Sequence, residues 1–596
     1  MFAQNEVLIS DDANLIISEN TYFKVPGNVE LGNGTSGKIT MKGNTFEVTG
    51  DLNINAGSNF DISNGTFSAT NTNFAETSTV TYDGTNQEIK NYNYGALILN
   101  GTGNMQVTGT LASPTTCKSL TINNTGNNMY VAEGKAITIE GELVNNAGVE
   151  GIKIASSPNG DGSVISYTTD VDATVGRYIS GNRWYYLSSP IDAAPISLFN
   201  TNNFLWWDAS MEWGGLGDYD PWKSFQEANL YNVQGYAYYY YEDTIMYKGK
   251  MNVSDYSYTL RKNSGGLEDN QGWNLIGNPY TSVLDWDAAV ADGAVPTGVE
   301  NAIYFFDDDG TGAQSNYRYY VPSTGGTYGV GTNDGTGKIP LGQAFFIKTN
   351  TDNAVLNFSK DYRVHNAQSF YKSDDQEFIK LRIYNDYYDE TIIRLVDNSS
   401  YAFDAEYDAR KLFPNNLVPQ IYCIGEGGKQ IAINSIPEIQ TNTIIPIGVD
   451  AVEGEYKISL DQSAFDNYDI YLVDNYENVA TNLNYVSSYS FSHEGSKIDN
   501  RFYLAFKELA SEVNEIDLGI SLYPNPASDY VKIINTNGAE FNFVKIYSVN
   551  GTIKYYNGNA KGPNEIDLSN FSEGIYFIQI GLNDGNIFHQ KILIQK

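Results

Sequence analysis

Residues 45–57 read TFEVTGDLNINAG, two short alternations separated by a Thr-Gly step. Phe46 and Val48, then Leu52 and Ile54, fall at every second position, so a strand built from either run turns its apolar side chains to one face. Gly50, and then Asn55 and Gly57, are residues that tolerate positive φ and end such strands. The same grammar runs outward in both directions: GKITMKG at 37–43, NFDISNGTFSA at 59–69, KSLTINN at 118–124 and AITIEGELV at 136–144. Strands this short bury little alone, and near-repeating ones reach stability by stacking, which predicts β-solenoid-like repeats over residues 1–165. An ordinary β-sandwich is the alternative, because the period is irregular.

Beyond this region the chain stays β. It has 596 residues, of which 46 are tyrosine, 56 glycine and only 18% charged. Aromatic residues fit a pleated, half-buried surface and glycine serves turns, while no long i, i+3, i+4 apolar spacing occurs, so the fold class is all-β. Acidic residues outnumber basic ones 71 to 36, a formal charge of −35 that repels phosphate backbones and argues against nucleic acid as a partner. The two cysteines, Cys117 and Cys423, read as separate buried thiols. No apolar run approaches the ~20 residues that span a bilayer, so no transmembrane segment is expected. Phe2-Ala3-Gln4 looks like the tail of a signal peptide, and the expectation is a true start upstream of Met1.

Composition shifts mark further domains. All seven tryptophans lie between Trp184 and Trp286, and residues 166–366 are expected to form an aromatic-rich β-sandwich. Residues 367–507 repeat strands and turn signals at the spacing of a second β-sandwich. Within it, FDAEYDARKLFPNN at 403–416 reads as a short helix or an ordered crossover. Residues 508–518 are polar, acidic and without alternation, as in a linker. A small β-sandwich is expected over 519–596, where Pro524 and Pro526 cannot donate to a ladder and so set a corner, and Asn550-Gly551 is a hairpin turn.

That last unit closely resembles the type A C-terminal sorting domain of the type IX (Por) secretion system. The likeness rests on the corner Pro524, Asn525 and Pro526, and on the hairpin ending at Gly551. It rests also on the segment from Leu568 through Phe571 to Gly574-Ile575-Tyr576, and on the final KILIQK from Lys591 to Lys596. The resemblance implies these residues as the sorting signal, the type IX machinery and its sorting peptidase as partners, and a secreted or cell-surface location outside the outer membrane. It also implies removal of the unit by cleavage between residues 509 and 517. Two looser likenesses accompany it: residues 80–111 resemble repeat regions of secreted bacterial adhesin-like proteins, and GWNLIGNPY at 272–280 and IPLGQAFFIK at 339–348 resemble pieces of secreted Bacteroidetes surface proteins.

For chemistry, His365, His493 and His589 stand far apart, with no HExxH and no nucleophile-elbow motif, so no catalytic residue is named. Glu212, Asp218 and Asp220 lie in an aromatic loop where a glycosidase pair is conceivable, yet turn and surface carboxylates are the simpler reading. Asp307 and Asp309 in DDDG, and Asp161 in NGDG, offer oxygen ligands without the EF-hand pattern; calcium is the one cofactor considered, and turns come first. Trp206, Trp207, Trp213 and Trp222 are the ligand-binding candidates, because flat indoles pack on the C–H faces of sugars. Core filling is the competing role, and the natural one for Trp273 and Trp286.

These readings converge on a secreted or surface-displayed, adhesin-like binding protein that contacts glycans or other cells. The alternatives are an exported polysaccharide-degrading enzyme and a structural surface-layer or fibre component. The first arginine, Arg177, follows the repeats, and a solenoid short of arginine favours binding over a lyase site.

Overall fold

The computed structural model describes residues 6–10, 12–32, 35–42, 45–63, 65–123, 126–212, 221–308, 316–323, 329–366, 378–414, 417–440, 443–463, 465, 467–508, 520–536, 538, 540–548, 552–558, 565–583 and 587–596. The alternating runs of the amino-terminal region are parallel strands wound into coils. Glu6–Ile9, Asn28–Leu31, Asp51–Ile54 and Asn71–Phe74 stack into one sheet. Tyr22–Val25, Thr45–Val48 and Thr66–Ser68 stack into another. A longer parallel sheet runs from Asn14–Ile17 through Lys38–Met41 and Asn59–Ile62 to Ala136–Ile139 and Ser163–Ser166. Phe46, Leu52, Ile54, Phe60, Val80 and Leu97 are fully buried between these faces, as the alternation requires. This is the solenoid of the sequence reading.

The irregular period has a structural cause. Glu6 pairs with Asn28, an offset of 22 residues, whereas Asp51 pairs with Asn71, an offset of 20, and Asn93 with Thr116, an offset of 23. Turns of different length keep the strands in register. Asparagines at equivalent corners stack as well: Asn123 Nδ2 donates to Asn100 at 2.7 Å, and Asn146 Nδ2 to Asn123 at 3.1 Å. The side-chain amides thus join successive coils as the backbone does.

The stack ends at Asp172–Ile179. One edge of this strand pairs in parallel with Ile152–Ile154, and the other pairs in antiparallel fashion with Asp243–Lys250 over eight residues. A parallel edge is thereby closed by an antiparallel strand, which removes the unpaired N–H and C=O row that would otherwise invite another strand.

The aromatic region builds two larger antiparallel sheets and two small ones, Tyr256–Thr259 with Val355–Phe358, and Lys338–Ile339 with Val283–Asp285 and Arg363–Val364. Arg183–Leu187, Tyr236–Tyr240, Phe204–Trp207 and Trp222–Ser224 form one of the larger sheets; Trp273–Gly277, Ala344–Lys348, Ile303–Asp307, Asn316–Val321 and Val330–Thr332 form the other. The one α-helix among the described residues, Trp286–Ala291, starts on Asp285, whose carboxylate accepts the Ala288 N–H. Next in the chain, strands Phe378–Tyr384, Tyr388–Leu395, Gln430–Ile436, Gln420–Ile424 and Ile444–Asp450 follow one another in a single hydrogen-bonded order. The 403–416 stretch is a crossover rather than a helix over its described residues. Asp408 takes the N–H groups of Asp404 and Ser435, each at 2.7 Å, and strand Ala409–Arg410 joins Gln430–Ile436. Carboxylates that bond nearby backbone compete with helix formation.

The chain divides into two compact units: residues 1–465 with 486–504, and residues 466–485 with 505–596. The second contains the hairpin of Tyr468–Asp474 with Val479–Asn482 and the terminal β-unit. In the terminal unit Ile520–Tyr523, Tyr530–Asn535 and Glu565–Asp567 form one sheet, and Ile553–Asn557, Phe541–Ser548, Gly574–Leu582 and Ile587–Ile594 the other. Val531, Val544, Ile546, Ile578, Ile580 and Ile592 are wholly buried in its core.

Candidate functional site

The terminal unit draws the separate motifs of its sequence into one place. At the proline corner, Asn525 Nδ2 donates to the Lys591 carbonyl at 2.6 Å, and Asn525 Oδ1 accepts the Leu593 N–H at 2.9 Å. Prolines on either side leave Asn525 without competing neighbours that donate, so its amide takes over the role of a strand partner. Ala527 continues this pairing with Leu593 and Gln595 through backbone bonds of 2.7 and 2.8 Å. Gly574, at φ 141°, opens the strand opposite Ile594, a backbone angle that glycine adopts without strain. Tyr576 is buried against Phe571, ring centroids 5.2 Å apart. The Lys596 N–H meets Glu573 Oε1 at 2.8 Å and its ammonium donates to the Ser569 carbonyl. Pro524, Asn525 and Pro526 therefore sit against the strand bearing Lys591. Gly551 lies outside the described residues.

The tryptophan candidates separate by strand alternation. Phe204 and Trp206 face the core continuous with the solenoid, whereas Leu205 and Trp207 face the second aromatic core. Trp207 is 5% exposed, and its Nε1 donates to the Trp273 carbonyl at 2.7 Å. Its ring meets Trp222 edge-on at 5.0 Å and Phe346 at 4.9 Å. A small cavity of about 50 Å³ lies among Tyr186, Trp207, Trp222, Trp273 and Phe346. Trp206 and Trp222 are half-buried. Trp213, Asp218 and Asp220 lie outside the described residues; Glu212 is half-buried. Trp273 and Trp286 are core residues, 2% and 0% exposed.

A larger opening, about 290 Å³, was not legible in the sequence. Its walls include Arg183, Trp184 and Tyr185 on one strand and Asp307 and Arg318 on a facing hairpin, with Asp334 on a turn. Arg318 grips Asp307 through Nε at 3.1 Å and Nη2 at 2.5 Å, and Asp308 accepts the Trp184 N–H at 2.8 Å. Among the described residues Arg183 forms no ion pair, and its Nε is buried without a hydrogen-bond partner. Aromatic walls with one uncommitted cation can hold a polar ring against an apolar face. Strand alternation gave no hint of it, because its parts come from segments more than a hundred residues apart.

The calcium candidates among the described residues are engaged otherwise. Asp307 is the partner of Arg318, Asp309 is outside the described residues, and Asp161 accepts Ser156 Oγ at 2.5 Å and pairs with Arg177 at 3.3 Å. Among the described residues no three His, Cys, Asp or Glu side chains gather as metal ligands.

His365 is drawn to the end of the solenoid. Its Nε2 lies 2.8 Å from Thr138 Oγ1 and its Nδ1 2.7 Å from Ser163 Oγ, hydroxyls on adjacent parallel strands. Burial, then the nearby Arg363 charge, lowers its pKa to about 4, so the ring is neutral, donating at one nitrogen and accepting at the other. Arg363 Nη1 also donates to the Ser166 carbonyl at 2.7 Å, and Thr281 Oγ1 to the Val164 carbonyl at 2.8 Å. His493 is buried beside Tyr456, and the side chain of His589 is not described. Cys117 and Cys423 are free and buried, which pushes each thiol up to about 12.

Two families match the chain. The one described as "Domain of unknown function (DUF8693)" matches residues 95–506, and the "Secretion system C-terminal sorting domain" matches residues 521–595. The terminal unit is thus a type IX sorting tail, which engages that machinery and directs the chain to the cell surface or beyond. No helix of the described residues is long and apolar enough to cross a membrane. Among curated proteins, the chain is 25% identical over 453 residues to the minor fimbrium subunit Mfa5 of Porphyromonas gingivalis. The alignment takes in 67% of this chain and 35% of that protein, so the chain spans about a third of its relative's length.

Proposed function

This chain belongs to the DUF8693 family and ends in a secretion sorting domain, and from that premise we propose that it is a non-catalytic, adhesin-like component of the cell surface, associated with fimbria-like fibres. The observation that carries the reading is the likeness to a minor fimbrium subunit over two thirds of the chain. A solenoid joined to antiparallel sheets supports it, since such a body offers long surfaces for contact rather than one deep catalytic cleft. Immunogold labelling of native cells, paired with deletion of the gene, tests the proposal. Label on surface fibres and reduced adherence are expected; label held in the periplasm, or unaltered adherence, overturns it.

Glycan contact is the finer part of this proposal. The cleft at Trp184 and Tyr185 supports it, with Arg183 as the donor left uncommitted. Retention on a glycan array should fall at least tenfold in Arg183→Ala and Trp184→Ala. Equal retention by both variants retires the cleft, and release of reducing sugar from a polysaccharide would favour the alternative of an exported degrading enzyme.

A further inference from the structure

Asp389 and Lys411 meet in the protein interior with both side chains 0% exposed. Asp389 belongs to strand Tyr388–Leu395, and Lys411 follows strand Ala409–Arg410. Lys411 Nζ donates to Asp389 Oδ2 at 2.5 Å. The Ile421 N–H donates to the same oxygen at 2.8 Å. The other oxygen accepts Asn316 Nδ2 at 3.1 Å and Asn333 Nδ2 at 3.0 Å. The Tyr319 ring lies 5.1 Å from the ammonium.

An amine and a carboxyl group held this way are poised for more than an ion pair. Taking both charges out of water is costly, and removing them together relieves that cost. Burial lowers the Lys411 pKa, which favours the neutral, nucleophilic amine. The two groups are already in contact, so their encounter carries no further entropic cost. The two amide N–H donors on Asp389 Oδ1, from Asn316 and Asn333, face the oxygen on which charge grows as Cγ becomes tetrahedral.

We propose that Lys411 and Asp389 condense into an intramolecular amide. The Nζ–Cγ bond forms, the Cγ–Oδ2 bond breaks, and Oδ2 departs as water with two of the three ammonium protons. The third proton stays on the amide nitrogen. Charge balances, because one cation and one anion become a neutral amide and water, and no oxidant or cofactor enters. The product closes residues 389–411 into a covalent loop and fastens Tyr388–Leu395 to the crossover segment. Hydrolysis needs water at a site that holds none of its surface open, so the link is retained.

Intact-mass measurement of the purified, folded full chain tests this, with peptide mapping to account for both termini. A mass lower than the sequence by one water, with a branched peptide joining Asp389 to Lys411, is expected. Lys411→Arg and Asp389→Ala should each restore the sequence mass. A wild-type mass equal to the sequence, with Lys411 found in a linear peptide, overturns the proposal. Loss of one ammonia with a branch at Asn333 overturns it as well, since the acceptor would then be an asparagine.

Discussion

Asn525 accepts the N–H of Leu593 at 2.9 Å across 68 residues of sequence, so the proline corner and the last strand form one unit. Asn525→Ala removes this bond and the one to Lys591, at ~1 kcal/mol for each lost bond. The expected result is a terminal unit destabilised by ~1–2 kcal/mol and a fluorescent passenger carrying residues 516–596 exported less efficiently than wild type. Fractionation of cells with a working exporter measures this, and full export of the variant would separate the corner from sorting.

His365 should make the first unit acid-sensitive. Its folded pKa is about 4, against ~6.5 for a free imidazole. Between those values the unfolded chain binds a proton that the folded chain does not, so stability falls as the pH drops from about 6.5 to about 4 and then levels off. The whole loss amounts to ~3 kcal/mol as an upper estimate. Thermal midpoints between pH 7 and 4 should show it, and His365→Gln, which keeps a donor and an acceptor, should flatten the slope.

Trp207 and Trp206 adjoin in sequence but should differ in cost. Trp207→Ala empties a site among Trp222, Trp273 and Phe346 and frees the Trp273 carbonyl, a loss of ~3–5 kcal/mol. The half-buried Trp206 should cost roughly half as much when changed to alanine. Urea midpoints of the two variants give the comparison, and equal losses would contradict the alternation.

Cys117 and Cys423 should be unreactive while the chain is folded. Both thiols are buried and held far from the thiolate form. A thiol reagent should label neither in native buffer and both in denaturant; rapid native labelling of either would place it at the surface.

The solenoid was legible because its strands obey a local rule. Period-two runs such as Phe46 to Val48 and Leu52 to Ile54 state which side chains face inward, and Asn or Gly marks many of the corners. The terminal unit was legible because its motifs retain their order along the chain, although only the fold reveals that Asn525 touches the strand of Lys591. Pairing between distant segments left no such trace. Nothing near His365 announces Thr138 or Ser163, and nothing near Arg183 announces Asp307 across the cleft. Neighbouring indoles read alike in one dimension, while strand geometry sends Trp206 and Trp207 into different cores.

The closure of Asp172–Ile179 by Asp243–Lys250 gives the repeat region one fixed end, against which its length can vary. Strand pairing joins each coil only to its immediate neighbours, so a whole coil can be inserted or deleted upstream while the junction stays as it is. Each such change alters reach by ~4.8 Å, the distance between adjacent strands. The sheets that follow the junction keep their pairing at every such step.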